Sequence, residues 1–141
     1  MPERITLWTI EGTREYRLKG INGEPGLVVA ECIGDRLIAE ATWIKEIPKK
    51  EAIHVNGGER KILGITYDLS NVKWVDSSGV CLLIQGYRET EERRISFSLY
   101  GLSERLESVL ILEKLKSVFP VYDTLEEAIA GYRARKETKK D

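Results

Sequence analysis

From Leu27 onward, short apolar runs and segments of helical period take turns along the chain, and this alternation limits the fold more than any other feature. The first run, LVVAECI (27–33), has the continuous apolar character of a strand near the centre of a sheet. Gly34 and Asp35 break it. From Leu37, the stretch LIAEATWIKEI places Leu37, Ala41 and Ile44 at helical spacing, with Ile38 alongside. That spacing predicts a helix which Pro48 interrupts, because proline lacks the amide proton and clashes with the preceding turn. NGGER (56–60) reads as a loop, and ILGITYDL (62–69) as a strand in which Ile65, Tyr67 and Leu69 alternate. Val80, Leu83, Ile84 and Tyr87 then form the buried stripe of a helix whose far end, RETEERR, is solvated. ISFSLYG (95–101) alternates as a strand. Ser103 caps a helix to about Leu112, with Glu104 in its favourable first turn. SVFPVYD (117–123) is a last strand or extended piece, and Thr124 with Glu127 makes a capping box opening a helix to about Arg135. Strands alternating with helices in this way predict an α/β sheet with right-handed crossovers.

Ahead of this region, ITLWTI (5–10) and EYRLK (15–19) read as short strands, and NGEPG (22–26) as the turn before the first central strand. The expected division is therefore an N-terminal pair of edge strands over 1–26, one domain over 27–135 and a polar tail over 136–141. A chain of 141 residues suits a single domain and buries roughly 70% of its unfolded surface, so it needs no metal or disulfide staple. The two cysteines, Cys32 and Cys81, lie far apart without metal-ligand spacing and read as free thiols in a reducing compartment. With 22 basic and 23 acidic residues, the net charge of −1 gives no general attraction to nucleic acid or to an anionic membrane. No apolar signal core or membrane span is present, so the expected location is cytoplasmic. No cofactor and no metal are expected.

The chemistry concentrates at Asp76-Ser77-Ser78-Gly79, where a strand gives way to a helix. The first amides of a helix have no intrahelical acceptor, and a residue with a short polar side chain caps them. A cap alone accounts for one such residue, and three functional readings compete with it. A catalytic serine needs a base; the one histidine, His54, stands in EAIHVNGG, and no Gly-x-Ser-x-Gly elbow surrounds either serine. A phosphate cradle would be opposed by the Asp76 carboxylate, and NGGER lacks the P-loop pattern. Phosphorylation of a serine would place nearly two negative charges beside Asp76 and turn a docking surface into a repulsive one. The residues alone leave these readings open.

The segment GITYDLSNVKWVDSSGVCLLIQGYRE resembles the central part of STAS domains of the anti-sigma factor antagonist family. The match runs through Asp68, Leu69, Ser70, Val72, Val75, Asp76, Ser77, Ser78 and Gly79, and LEKLKSVFPVYDTLEEAI is similar to the family's usual C-terminal end. The resemblance spans roughly residues 27–133. It implies a single STAS-like domain, with a mixed sheet of about four to six strands and about four helices. It also implies a non-enzymatic partner switch. Unmodified, the domain binds an anti-sigma factor that is also a serine kinase and so frees a sigma factor. Phosphorylation at Ser77, with Ser78 as the alternative, releases it, and a phosphatase restores it. The implied docking surface takes in Asp35, Asp76, Ser78, Gly79 and Cys81, with Asp76 fixing the loop, Ser78 capping the helix and Gly79 letting a partner approach the backbone. No direct nucleic-acid or membrane contact is implied, and a homodimer is left open.

This chain departs from the family pattern in four places. Cys81 replaces a glycine common two places after the motif glycine, and GDRL (34–37) keeps only the glycine and acid of the usual loop. The stretch between Asp35 and Ile65 is long, and Lys114 stands where a glycine commonly ends the third helix. Other members of the family are scaffold subunits of stress-signalling assemblies, subunits of lipid-transport complexes or cytoplasmic tails of anion transporters. A constitutive adapter whose serine is never modified is therefore the rival reading.

Overall fold

The computed structural model describes residues 5–55 and 58–138. Its main sheet has six strands in the order β1-β2-β3-β7-β9-β10. β1 (Leu7–Gly12), β2 (Tyr16–Ile21) and β3 (Glu24–Cys32) form an antiparallel meander. β7 (Gly64–Asp68), β9 (Ser96–Tyr100) and β10 (Val121–Tyr122) continue the sheet from β3 in parallel. Two smaller pairs accompany it. β4 (Arg36–Leu37) and β8 (Trp74–Val75) are parallel, and β5 (Ala52–Val55) and β6 (Gly58–Lys61) form a hairpin. The helices are α1 (Trp43–Glu46), α2 (Ser77–Glu92), α3 (Glu104–Leu112) and α4 (Leu125–Thr138), so the expected class, a mixed sheet with about four helices, holds.

From Leu27 to Ala30, β3 is apolar because both of its faces are covered, the situation of a strand inside an α/β sheet. Val28, Ala30 and Cys32 face one side, where Ile44 of α1, Leu82 and Leu83 of α2 and Leu106 and Leu110 of α3 meet them in one cluster. Leu27 and Val29 face the other side and pack with Ile129 and Tyr132 of α4. A run of aromatic rings crosses the larger core: Tyr16 stacks on Trp43 at 5.1 Å, Trp43 meets Tyr67 at 6.1 Å, and Tyr67 meets Phe97 at 5.3 Å. The buried Tyr67 hydroxyl donates to the Ile44 carbonyl at 2.6 Å and so ties the central strand to α1.

The structure moves several expected boundaries. The predicted helix from Leu37 starts six residues later, at Trp43, and passes into a 3₁₀ turn over Ile47–Lys50 that contains Pro48. Leu37, Ala41 and Ile44 are all buried, so their spacing reported the core correctly; Leu37 is drawn out of the helix because its strand pairs with Val75. The expected turn over 22–26 contracts to Asn22 and Gly23, whose φ of 85° suits glycine. Pro25 lies inside β3, where the register to β2 jumps from Gly20↔Val28 to Ile21↔Glu24, so no ladder bond needs its missing amide. Of the expected loop NGGER, residues 56 and 57 lie outside the described residues and Gly58, Glu59 and Arg60 belong to β6. Both expected helix starts are capped by their hydroxyls: Ser103 Oγ accepts from the Leu106 amide and Thr124 Oγ1 from the Glu127 amide, each at 3.2 Å. Lys114 takes the left-handed conformation, φ 59°, that a glycine would adopt without strain at the end of α3.

Candidate functional site

The site begins with a turn. Asp68 Oδ1 accepts from the Ser70 amide at 3.0 Å and from the Ser70 hydroxyl at 2.6 Å, which closes the end of β7. The chain then runs beside the end of β3: Asn71 Nδ2 donates to the carbonyls of Ile33 and Gly34 at 2.5 and 3.2 Å. The Asp35 carbonyl accepts from the amides of Lys73 and Trp74 at 2.7 and 3.0 Å. Pairing of β4 with β8 carries this contact forward until the Asp76 amide donates to the Leu37 carbonyl at 3.3 Å. The β3–β4 turn and the strand entering α2 thus form one surface, although about forty residues of sequence separate them.

Asp76, not Ser78, caps α2. It adopts extended backbone angles, φ −121° and ψ 179°, and its Oδ1 accepts from the Gly79 amide at 3.0 Å. The same oxygen accepts from the Ser78 hydroxyl at 2.5 Å. These bonds, the hydroxyl's first, hold the Asp76 carboxyl below the usual carboxylate range. The expected capping role of Ser78 is therefore reversed: its hydroxyl is a donor that fixes the cap. Asp outranks Ser here because an ionised carboxylate takes both protons at once.

Gly79 is buried, and its role differs from the expected one. A Cβ there would stand 1.9 Å from the Leu37 carbonyl oxygen and 2.6 Å from its carbon. The missing side chain admits this protein's own β4 backbone rather than a partner's.

The exposed members of the predicted set are Asp35, Asp76, Ser77 and Cys81. Ser77 is the first residue of α2, and its hydroxyl has no hydrogen-bond partner among the described residues. Cys81 lies one turn further along the same face of the helix. Trp74, two residues before the cap, belongs to this surface and is absent from the residues expected from sequence. It is 50% exposed, and the guanidinium of Arg105, from α3, lies 4.5 Å from its ring centroid. A tryptophan among valines was the available signal for Trp74; nothing in sequence joins it to Arg105. His54 is on the β5–β6 hairpin, largely exposed, and pairs with Glu59 at 3.6 Å. Among the described residues no cluster of His, Cys, Asp or Glu is arranged to hold a metal ion, and no helix is long and apolar enough to cross a membrane.

Solved structures with the same fold come from proteins of different roles. An anti-sigma factor antagonist from Mycobacterium paratuberculosis is 19% identical over 94% of this chain and 97% of its own, with a TM-score of 0.62. The phosphorylated form of the Bacillus cell fate determinant SpoIIAA is 22% identical over 82% of this chain and 96% of its own, with a TM-score of 0.55. A sulfate transporter family protein from Wolinella succinogenes is 18% identical over 79% and 88%, with a TM-score of 0.65. At these identities the likeness is one of fold. The STAS domain model matches residues 4–128, a span that holds every strand of the main sheet and the whole turn from Asp68 to Gly79, and by that match the chain belongs to the STAS domain family.

Proposed function

We propose that this domain is an anti-sigma factor antagonist that works as a phosphorylation-gated docking module in the cytoplasm. In the unmodified state the surface formed by the β3–β4 turn, Trp74 and the start of α2 binds a serine kinase that doubles as an anti-sigma factor. Transfer of a phosphoryl group to Ser77 releases that partner, and a phosphatase reverses the change. The observation that carries this reading is the contrast between the two serines: Ser77 is exposed with a free hydroxyl, whereas Ser78 is half-buried and its hydroxyl is held by Asp76. A phosphate on Ser77 would stand at the positive end of α2, which favours it, and beside the ionised Asp76, which does not. A partner packed over the turn would have to desolvate both charges, so release needs no refolding of the domain.

The module is read as non-catalytic. Asp76 is the carboxylate bonded within the junction, and its lowered pKa makes it a weak base for either serine. Incubation with serine kinases encoded in the same genome, followed by intact-mass measurement, tests the reading. One phosphoryl group should be gained by the parent and by Ser78→Ala, and not by Ser77→Ala. No gain with any kinase, together with stable co-purification in a fixed complex, would favour a constitutive STAS adapter of a signalling or lipid-transport assembly. The transporter-family structure of the same fold is the observation in favour of that second reading.

A further inference from the structure

We propose that the cleft bounded by the β1–β2 turn, the β3–β4 turn and the segment leading into α1 binds a small zwitterionic molecule with an apolar body, of the amino-acid class. The cleft has a volume of about 290 Å³. That lies just below the usual range for drug-sized ligands, which suits a molecule of amino-acid size. Its floor is apolar: Ala41 and Trp43 are 6% exposed and Cys32 is 3% exposed. Trp43 is stacked against Tyr16, with ring centroids 5.1 Å apart. The Cys32 thiol donates to the Gly34 carbonyl at 3.3 Å, and burial pushes its pKa up to about 11, so it is a neutral part of the floor.

The rim is charged with both signs. Arg14 and Glu15 stand on the β1–β2 turn, Asp35 on the β3–β4 turn and Arg36 at the start of β4, and Glu40 closes the third side. Among the described residues these five make no ion pair with one another or with any other side chain. An anion alone would meet three carboxylates and a cation alone two guanidiniums. A ligand with a carboxylate and an ammonium on one carbon satisfies both, its side chain lying on Trp43 while an arginine takes the carboxylate. Neither the fold nor the phosphorylation reading requires this site, and its test is independent of both. The cleft also shares β4 with the junction, since Arg36 pairs with Trp74 and Leu37 with Val75.

The test is a titration of the ¹⁵N-labelled full chain with L-phenylalanine, followed by amide and indole resonances. Saturable shifts are expected at Gly34, Ala41 and the Trp43 indole. Phenethylamine and 3-phenylpropionate, each carrying one of the two charges, should bind about tenfold more weakly or less, as a lost charge-assisted hydrogen bond dictates. The Arg14→Gln/Arg36→Gln double variant should lose about tenfold in affinity while keeping the parent's dispersed spectrum, since both side chains are exposed. Absence of saturable shifts at these three positions, equal binding of uncharged N-acetylphenylalanine amide, or unchanged affinity in the double variant would overturn the proposal.

Discussion

The carbonyl of Leu37 occupies the space that a side chain on Gly79 would need, with 1.9 Å between that oxygen and an ideal Cβ. This one contact fixes how α2 leaves the sheet, because the oxygen also accepts the Asp76 amide. Neither β4 nor the first turn of α2 can withdraw without losing that bond. Gly79→Ala is therefore expected to destabilise the domain by about 3 kcal/mol or more, at the upper end of overpacking effects, since the obstacle is backbone. Urea unfolding of the variant checks it; a loss under 1 kcal/mol, roughly the helix-propensity gain of alanine over glycine, would show that the two elements separate easily.

Ser77→Asp should reduce partner affinity while leaving the thermal midpoint within a degree or two of the parent. The side chain is exposed at the first helical position, where an acid is favoured by the helix dipole, and nothing in the core touches it. Calorimetry and partner titration on the same sample separate the two effects. A fall of many degrees in the midpoint would mean that Ser77 is a structural residue.

Asp76 gives the start of α2 a pH dependence of known sign. Its folded pKa is depressed by the Ser78 hydroxyl first and the Gly79 amide second, so its contribution is complete above the ordinary carboxylate pKa and is lost as pH falls through the lowered folded value. Asp76→Asn should therefore be less stable than the parent at neutral pH, and the gap should close on acidification. Thermal midpoints of both proteins across pH 7 to about 3 measure this. A gap that does not change with pH would place the cap's effect in shape rather than charge.

The two thiols should behave oppositely. Cys81 is exposed on α2, whereas burial pushes Cys32 up to about 11 and leaves it 3% exposed. Alkylation of the native protein near neutral pH should add one label, at Cys81, and denaturation should admit the second. Peptide mass mapping distinguishes the sites; labelling of native Cys32 at a similar rate would mean that β3 and its neighbours open readily.

Local sequence determined a good deal of this molecule. The apolar run at Leu27–Cys32 fixed a two-faced central strand, Val80 and Leu83 fixed the inward side of α2, and Ser103 and Thr124 fixed two helix starts. Each of these is a short-range pattern, in which the apolar spacing or the capping residue lies within a few positions, and such patterns survive in a single line of letters. The Asp76–Gly79 stretch likewise announced a strand-to-helix junction. What Gly79 does there was decided by tertiary structure, whereas the cap is made within three residues. Asp76 rather than Ser78 is the cap because the local geometry lets one carboxylate oxygen take two donors, and Gly79 is required by a carbonyl forty-two positions earlier. The same long-range pairing of Leu37 with Val75 overruled the helical spacing that begins at Leu37. The Trp74–Arg105 contact arose only when α3 was laid beside β8. Helical period reports which residues are buried, but a backbone segment with a strand partner elsewhere in the chain takes its hydrogen bonds from that partner, and no local pattern records the choice.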